Sequence, residues 1–417
     1  MNRFLVLFLD KLIRRGHLEV ESSSGAIRTF GDGSGPPIAI RFADPAAEFK
    51  LILNPEMALG ELFMDGRLQI KRGDLYDFLA LGAANVVDFT GMSWLKTLER
   101  ARVLFRRLYQ RNGRQRARRN VAHHYDLDQR LYRLFLDADM QYSCAYFERE
   151  GQTLEEAQLA KKRHIAAKML VDERHSVLDI GCGFGGMALY LSQTVGARTT
   201  GVTLSNEQHE VASRRAAEAG LGDRLDFRLQ DYRDVREQFD RIVSVGMFEH
   251  VGAAHFDEFF SKSRDLLKDD GVMTLHAIGR SEPPGATNPW IQKYIFPGGY
   301  IPALSEVSAS IERSGLFVTD IEILRLHYAD TLKAWRERFL ANIDEVKALY
   351  DDRFCRLWEY YLAASEVAFR VYGHLVFQFQ LTKRQDVVPR TRDYVGEREA
   401  QLRKRESQKG ALWRVAS

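Results

Sequence analysis

An apolar, strand-like run that leads into alternating glycines carries the most chemical information in this chain: Val-Leu-Asp-Ile-Gly-Cys-Gly-Phe-Gly at 177–185. Glycine lacks a Cβ, so such a loop can turn sharply and let a ligand lie against bare backbone. A helix predicted to start at Gly186 then presents unpaired N–H groups to an anionic or strongly polar group. The segment predicts a nucleotide-type cofactor site in the middle third of the chain.

Polar residues stand at the ends of the predicted strands around this loop. Asp179 precedes the first glycine by two positions, where a carboxylate can reach an amino-acid ammonium group. After the third predicted strand, Asp231 and Tyr232 suit an adenine amino group and ring. Dinucleotide dehydrogenases also place glycines after their first strand, but this succession resembles the class I S-adenosylmethionine-dependent methyltransferases. Most of that class end the second strand in an acid that holds the ribose, whereas this chain has Thr203.

Six further segments narrow the resemblance to one family. They are His123-His124-Tyr125-Asp126, the runs 140–147, 201–208 and 245–252, Leu275-His276-Ala277-Ile278, and the run 327–332. Together and in this order they resemble the cyclopropane-fatty-acyl-phospholipid synthases, whose catalytic core the mycolic acid cyclopropane synthases share. The resemblance covers roughly 120–383 and, more loosely, the N-terminal part of the chain. It includes Thr203, because this family has threonine at that position.

The resemblance implies a reaction on lipid. A cis double bond in a phospholipid acyl chain attacks the methyl group of S-adenosylmethionine, and the resulting carbocation loses a proton so that a cyclopropane ring closes. The family uses a bound bicarbonate ion as the base or proton relay. Such chemistry requires the alkene to be positioned against the methyl group and the cation to be shielded from water.

The family also implies which residues form the site. Glu249, His276 and Tyr328 are expected to hold the bicarbonate through their side chains, and Cys144 and Ile278 to contribute backbone groups. Without the motif context, each of these residues has an ordinary structural interpretation: His276 as a core histidine, Glu249 as a helix-start acid and Tyr328 as a strand-end aromatic. The expected cofactor-binding residues are Tyr142, Ser143, Asp179, Gly181, Gly183, Thr203, Leu204, Gln208, Asp231 and Tyr232.

Two of these residues carry a further expectation. Gln208 is expected to take over the ribose contact that an acid makes in other methyltransferases. Cys144 could instead be a covalent nucleophile, but nothing near it supplies a dedicated base. The three cysteines, Cys144, Cys182 and Cys355, form no metal spacing and no disulfide framework, so no metal site is expected and a reducing cytoplasm is indicated.

The length of 417 residues allows two domains. Residues 1–90 predict a small lipid- or membrane-associated α+β domain with strands at 38–42 and 49–53. Residues 121–383 predict an α/β catalytic domain of the class I methyltransferase type, with a doubly wound, mostly parallel sheet and a late helical insertion. Residues 384–417 predict a charged, mobile tail.

Between the two predicted domains, residues 91–120 predict a basic amphipathic linker helix. Apolar residues recur there at helical spacing, and arginine and lysine dominate the other positions, as in helices that bind an anionic membrane surface. A solvated linker helix packed on its neighbour explains the pattern equally well. Binding to nucleic acid is not expected, because no nucleic-acid motif accompanies the charge.

The leading hypothesis is a cytoplasmic enzyme, peripherally associated with the inner face of the membrane, that acts on unsaturated phospholipid acyl chains and prefers anionic lipid. The apolar run 4–9 is far too short to span a bilayer. Family resemblance suggests a homodimer. Two alternatives stay open: a related lipid C-methyltransferase giving a methylene or methyl-branched product, and a non-catalytic lipid-binding protein. The intact glycine loop together with Glu249, His276 and Tyr328 argues against the second alternative.

Overall fold

The structure, a computed structural model, describes residues 1–87 and 128–408, and the chain divides into two compact units. Unit 1 consists of Met1–Arg106, Ala286–Pro297 and Ala329–His374; unit 2 consists of Arg107–Gly285, Gly298–Tyr328 and Leu375–Ser417. The predicted basic helix at 91–120 and the motif at 123–126 lie outside the described residues.

Helices and strands are numbered along the described residues. The strands are β1 (Leu18–Glu21), β2 (Ile27–Phe30), β3 (Ile38–Phe42), β4 (Leu68–Arg72), β5 (Ser176–Ile180), β6 (Arg198–Thr203), β7 (Leu225–Leu229), β8 (Phe239–Val245), β9 (Leu267–Arg280), β10 (Phe317–Leu324) and β11 (His374–Thr382). The α-helices are α1 (Arg3–Leu12), α2 (Pro45–Leu53), α3 (Pro55–Met64), α4 (Leu75–Val87), α5 (Gln129–Phe135), α6 (Leu154–Lys168), α7 (Gly186–Tyr190), α8 (Asn206–Glu218), α9 (Phe256–Leu266), α10 (Pro289–Tyr294), α11 (Leu304–Ser314), α12 (His327–Ala341), α13 (Ile343–Leu349), α14 (Asp352–Arg370) and α15 (Asp393–Gln408). Within the described ranges, no helix is both long and apolar enough to cross a membrane.

Unit 1 is built on a four-stranded sheet with the order β2-β1-β3-β4. Strand β1 runs parallel to β3 and antiparallel to β2, and β3 pairs antiparallel with β4. Along the chain, helix α1 precedes β1 to β3, helices α2 and α3 lie between β3 and β4, and helix α4 follows β4. The predicted small α+β arrangement is therefore present in the N-terminal part of this unit.

The apolar run at 49–53 was the one strand predicted in unit 1 that the structure contradicts, because these residues belong to helix α2. Asp44 caps that helix by accepting the Ala47 backbone N–H at 2.9 Å, and Pro45 occupies its first turn. Ala47 and Leu51, four residues apart, are both buried. The cap and this helical spacing outweigh the strand preference of the short run.

The late helical insertion clusters with the N-terminal residues in unit 1, whereas the sequence predicted a continuous catalytic domain over 121–383. Aromatic packing explains the difference. The Trp290 ring lies 4.6 Å from that of Tyr360, and Phe63 lies 6.4 Å from Tyr360, measured between ring centroids. Residues from α3, α10 and α14 thus share one core, which sequence order alone does not indicate.

Unit 2 is built on a seven-stranded sheet with the order β10-β11-β9-β8-β5-β6-β7. Strands β5 to β9 pair in parallel, and β10 pairs antiparallel with β11. Helix-bearing crossovers connect the parallel strands, and buried apolar clusters include residues of the sheet and its helices. This confirms the predicted doubly wound, mostly parallel α/β sheet, and it brings the carboxyl ends of β5, β6 and β8 to one edge.

The C-terminal segment differs from the predicted mobile tail, because residues 393–408 form helix α15. Val395 and Leu402 of this helix are buried. Glu406 accepts hydrogen bonds from Arg163 Nη2 at 2.9 Å and from the Tyr190 hydroxyl at 2.6 Å. The charges that suggested disorder therefore find partners on α6 and α7.

Replacing Glu406 with alanine is expected to lower the free energy of unfolding by about 2–3 kcal/mol. The change leaves the buried Arg163 guanidinium with fewer acceptors, although Glu148 still accepts from it at 3.2 Å. Glu397→Ala, at an exposed position of the same helix, is the matched control and should change stability by less than about 0.5 kcal/mol. Urea denaturation measures both; equal effects of the two variants would contradict a buried anchoring role for Glu406.

Candidate active site

A cavity opens at the edge of unit 2 where β5, β6 and β8 end, and every cofactor-binding residue expected from the sequence lines it. These ten residues are Tyr142, Ser143, Asp179, Gly181, Gly183, Thr203, Leu204, Gln208, Asp231 and Tyr232. Parallel strands deliver their carboxyl ends to one place, so residues far apart in sequence meet there. The geometry therefore brings the expected set together in one site.

The glycine loop turns in a way that only glycine permits at Gly181. This residue has a φ of +78°, and a Cβ there would lie 2.5 Å from Met247 Cγ. Any side chain would be strained by the backbone and would also displace Met247, which lines the same cavity. Met247 was missed as a lining residue by sequence reasoning, although it belongs to the quoted 245–252 segment.

Asp179 lines the cavity with a carboxyl group whose hydrogen bonding is incomplete. Its side chain is buried, and its Oδ2 has no hydrogen-bond partner among the described residues. Burial raises the pKa of this carboxyl to about 7, and the nearby Lys161 ammonium opposes the rise. An unpartnered buried carboxylate suits a cationic group, as the sequence prediction of a contact to the ammonium of an amino-acid-bearing cofactor requires.

Strand β6 ends at Thr203, where most class I methyltransferases have an acidic residue, and a short hydrogen-bonded unit follows it. The Thr203 hydroxyl donates to Gln208 Oε1 at 2.9 Å, and the Ser205 backbone N–H donates to Thr203 Oγ1 at 3.2 Å. With its oxygen engaged, the Gln208 amide has its nitrogen left to donate into the cavity that it lines. This arrangement suits the expected ribose contact.

Asp231 has an additional partner that the sequence did not indicate. Arg233 Nε and Nη2 donate to its two carboxylate oxygens at 2.9 and 2.7 Å, in a bidentate pair. Each carboxylate oxygen can accept more than one hydrogen bond, so the pair fixes Asp231 without preventing a contact to an adenine amino group. Tyr232 packs edge-on against Phe259, with ring centroids 5.5 Å apart.

A second cluster, which we call the Glu249–His276 cluster, consists of Glu249, His276, Ile278 and Gln378. Glu249 Oε1 accepts the Ile278 backbone N–H at 2.5 Å, and Gln378 Nε2 lies 3.1 Å from His276 Nδ1. Glu249 Oε2 and His276 Nε2 are both buried without a hydrogen-bond partner among the described residues. Two buried polar atoms without partners, both on residues of this cluster, indicate that a small polar ligand completes it.

Both ionisable groups of the Glu249–His276 cluster favour their neutral forms. Burial raises the pKa of the Glu249 carboxyl to about 7, partly offset by the hydrogen bond from Ile278. Burial also lowers the pKa of His276 well below its usual value, and Lys161 and Lys168 add to this. With Gln378 donating to Nδ1, the single proton of the neutral imidazole lies on Nε2 and is available as a donor.

Gln378, the partner of His276 in this cluster, was missed by sequence reasoning. It lies on β11, where Gln378 and Gln380 alternate with apolar residues in a buried strand. Polar residues within an otherwise buried strand are uncommon and usually have a bonding partner. This alternation was the available signal, but it does not reveal that the partner is His276.

The other three expected catalytic residues, Cys144, Tyr328 and Ile278, also belong to unit 2. Cys144 is buried and its thiol donates to the Ala145 carbonyl at 3.2 Å. Tyr328 is buried and lies in the first turn of α12, not at the end of a strand, because β10 ends at Leu324. The Ile278 N–H, expected to contact the anion, is engaged by Glu249. None of the five expected catalytic residues lines the cofactor cavity.

Aromatic stacking joins two of the motif segments. The Tyr146 ring stacks between His164 and His327, with centroid distances of 4.3 and 4.9 Å. The Phe147 backbone N–H donates to His327 Nδ1 at 3.0 Å. The 140–147 segment, which contributes Tyr142 and Ser143 to the cavity, is thereby attached to the residue that precedes Tyr328.

Comparison with known proteins gives consistent matches. Residues 112–379 match the family described as mycolic acid cyclopropane synthetase. The chain is 39% identical over 334 residues to the cyclopropane-fatty-acyl-phospholipid synthase of Escherichia coli (strain K12), covering 80% of this chain and 85% of that protein. It is 35% identical over 394 residues to a tuberculostearic acid methyltransferase of Mycobacterium tuberculosis, covering 90% of each.

A solved structure shows the same relationship for the catalytic part. The mycolic acid cyclopropane synthase CmaA1 complexed with SAH and CTAB superposes with a TM-score of 0.60 and 34% sequence identity. The match covers 63% of this chain and 97% of that one. Since SAH is S-adenosylhomocysteine, the product left after methyl transfer, this complex supports S-adenosylmethionine as the cofactor here.

Binding of S-adenosylmethionine is expected to strengthen about tenfold per pH unit as pH rises from 5.5 towards 7, and then to level off. In the free protein the Asp179 pKa is about 7, so below that pH its carboxyl holds a proton that the cofactor ammonium must displace. Asp179→Asn should bind more weakly, with a much flatter pH dependence. Calorimetric titrations between pH 5.5 and 8 measure this; the same slope in wild type and variant would contradict it.

Proposed function

Because this chain belongs to the mycolic acid cyclopropane synthetase family of S-adenosylmethionine-dependent methyltransferases, we propose that it transfers a methylene group to the cis double bond of unsaturated phospholipid acyl chains. The product would be a cyclopropane ring. The name of the Escherichia coli relative supports phospholipid as the substrate class, and the SAH complex of a structural neighbour supports the donor.

The observation that carries the proposal is the Glu249–His276 cluster, which we propose is an anion pocket. Glu249 Oε2 and His276 Nε2 are buried polar atoms that need a partner, and bicarbonate offers oxygen acceptors to both. A carboxylate would repel this anion, but burial keeps the Glu249 carboxyl largely protonated below pH 7, so it can donate. The neutral His276 donates from Nε2. These two side chains therefore suit a small oxyanion, with Tyr328 and Cys144 as its further proposed contacts.

The residues divide the chemical work between two places. When bound, the sulfonium of S-adenosylmethionine supplies an electrophilic carbon to the alkene. Asp179 and the glycine loop hold the donor, while Glu249 and His276 hold the base that receives the proton released when the ring closes. Burial of both carboxyls indicates a dry environment, which protects a carbocation from water.

Glu249→Gln is expected to lower kcat by about 100-fold or more, because the amide cannot share a proton with the bound anion. The affinity for S-adenosylmethionine should stay within about threefold of wild type, since Glu249 does not line the cofactor cavity. Glu312→Gln, at an exposed position, is the matched control and should leave both quantities unchanged. Assays with vesicles of monounsaturated phosphatidylglycerol and radiolabelled donor measure the rates, and calorimetry measures the affinity.

The same assay tests the anion directly. Wild-type enzyme in carbonate-free buffer should lose activity and regain it on addition of bicarbonate. A Glu249→Gln variant with more than half of the wild-type kcat, or wild-type activity that ignores bicarbonate, would exclude the proposed role of the anion pocket. Loss of donor binding in parallel with kcat would show that Glu249 acts through the fold instead.

A second product class is supported by one relative. The protein from Mycobacterium tuberculosis that matches 90% of this chain is named a methyltransferase of a fatty acid, so a methylene or methyl-branched product is the alternative. The fate of the cation depends on where the base lies. Mass spectrometry combined with proton NMR of the extracted lipid separates the outcomes, because a methylene branch keeps olefinic signals and a cyclopropane does not.

Unit 1 offers a surface suited to the proposed membrane association, and we call it the N-terminal face. Helix α1 exposes Phe4 and Leu7, and helix α2 exposes Phe49 and Leu53. The two helices are neighbours, since the Asn2 backbone N–H donates to Glu48 of α2 at 2.8 Å. Exposed apolar side chains of this size indicate an interaction site.

The charges around the N-terminal face favour an anionic bilayer over a protein partner. The exposed residues Arg3, Lys11, Arg14 and Arg15 are close in sequence to Phe4 and Leu7. Basic residues that flank exposed aromatic and leucine side chains are typical of helices lying at a membrane surface. We propose that this face docks on the cytoplasmic leaflet, where the acyl substrate resides.

Phe4→Asp combined with Leu7→Asp is expected to weaken binding to vesicles containing half phosphatidylglycerol by about tenfold. The exposed Leu229→Asp, on strand β7 in unit 2, is the control and should bind as wild type does. Sedimentation with vesicles measures the bound fraction. Equal binding by the double variant and wild type would contradict the assignment, and so would equal loss in the control.

A further inference from the structure

Helix α6 carries a buried lysine that the reaction described so far does not use. Lys161 has no solvent exposure, and its ammonium donates to Gln141 Oε1 at 2.6 Å and to the Ser143 hydroxyl oxygen at 2.8 Å. Both acceptors line the cofactor cavity. Burying an ammonium costs free energy unless the group is paired, so a fully buried lysine beside the cavity indicates a specific role.

The position of Gln141 is fixed on both sides. Its oxygen accepts from Lys161, and its Nε2 donates to Asp139 Oδ2 at 3.0 Å. The first residue of α7 is Gly186, where a Cβ would lie 1.9 Å from Gln141 Nε2. The amide therefore cannot turn its oxygen into the cavity without losing Lys161, and the glycine gives it room beside the helix N-terminus.

The contact from Lys161 determines that the Ser143 hydroxyl acts as a hydrogen-bond donor towards other groups. A serine hydroxyl that accepts a hydrogen bond from an ammonium keeps its own hydrogen for another acceptor. Ser143 lines the cavity, so it offers a hydrogen-bond donor whose oxygen is held by the Lys161 amine. Asp179 lines the same cavity with an unpartnered carboxylate oxygen, and Lys161 is near enough to oppose the rise in its pKa.

We propose that Lys161 is a positioning residue that makes the cavity select the carboxylate of the donor's amino-acid group. The carboxylate would accept from the Ser143 hydroxyl that Lys161 polarises, while Asp179 takes the ammonium. The inference rests on the proposed cofactor site, and it adds how that site recognises the amino-acid end of its ligand. Neither composition nor the glycine loop indicates this role.

The electrostatics around Lys161 agree with such a role. Burial lowers its pKa to about 7, although Asp137 and Asp139 favour the charged form. A carboxylate bound beyond Ser143 adds a further negative charge and stabilises the ammonium. Ligands without that carboxylate leave the lysine with only its protein partners, so the gain is specific to the acidic group of the ligand.

The test compares two ligands by calorimetry in the full chain: S-adenosylmethionine and decarboxylated S-adenosylmethionine, which differ only in the carboxylate. Wild type should bind the first at least about tenfold more tightly. Lys161→Met should reduce this ratio to below about three, mainly by weakening S-adenosylmethionine. Lys168→Met is the matched control, because Lys168 is also fully buried on α6 but pairs with Asp320 and Glu322; its ratio should equal that of wild type.

Ser143→Ala keeps the test decisive if Lys161→Met does not fold, because it removes only the hydroxyl and should lower the ratio as well. Equal weakening of both ligands in folded Lys161→Met or Ser143→Ala would show a structural role and overturn the inference. An unchanged ratio in either variant would overturn it too. Donor binding with the expected ratios but no lipid product would refute the proposed function while leaving the role of Lys161 intact.

Discussion

Two buried carboxyl groups that lack full hydrogen bonding, Asp179 and Glu249, are the constraint on which the rest of the site depends. Each has an oxygen without a partner among the described residues. Burial raises the pKa of each to about 7. A fold tolerates such groups only where the surrounding structure holds them and where a ligand completes them. Their surroundings differ: Asp179 lines the cavity, whereas Glu249 accepts the backbone N–H of Ile278, two residues beyond His276 on β9.

The sheet of unit 2 makes these surroundings possible. Strand β5 carries Asp179 to the edge where the glycine loop turns, and the segment after β8 carries Glu249. Strands β9 and β11 supply His276 and Gln378. Because parallel strands end at one edge, residues separated by more than a hundred positions meet there without any long loop. Helix α6 carries Lys161, which donates to the cavity-lining residues Gln141 and Ser143, and it is joined to α15 through Arg163 and Glu406.

Much of this was accessible from the sequence, and the reasons are local. Apolar runs followed by glycine or acid predicted the parallel strands and the cavity residues Asp179, Gly181, Gly183, Asp231 and Tyr232, because the chemistry of a βα turn depends on a few adjacent positions. The family resemblance was needed for Tyr142, Ser143, Leu204 and Gln208. The α2 helix was missed because a short apolar run does not reveal its period, whereas the Asp44 cap and Pro45 decide it. Helix α15 was missed because its charges are compensated by distant partners, and Gln378 and Lys161 because their partners lie far away in sequence. The clustering of the late helices in unit 1 likewise depends on aromatic contacts that sequence order does not show.

The most direct measurement is a carbon-13 NMR titration of the side-chain carboxyl groups, with Asp179→Asn and Glu249→Gln used for assignment. Both groups should titrate near pH 7 in the free protein. Addition of S-adenosylhomocysteine, which retains the amino-acid ammonium, should move the titration midpoint of Asp179 to markedly lower pH. The titration midpoint of Glu249 should stay near pH 7. Midpoints near pH 4 for both groups in the free protein, or equal shifts of both on adding the ligand, would contradict the assignment of a cation-binding and an anion-binding carboxyl.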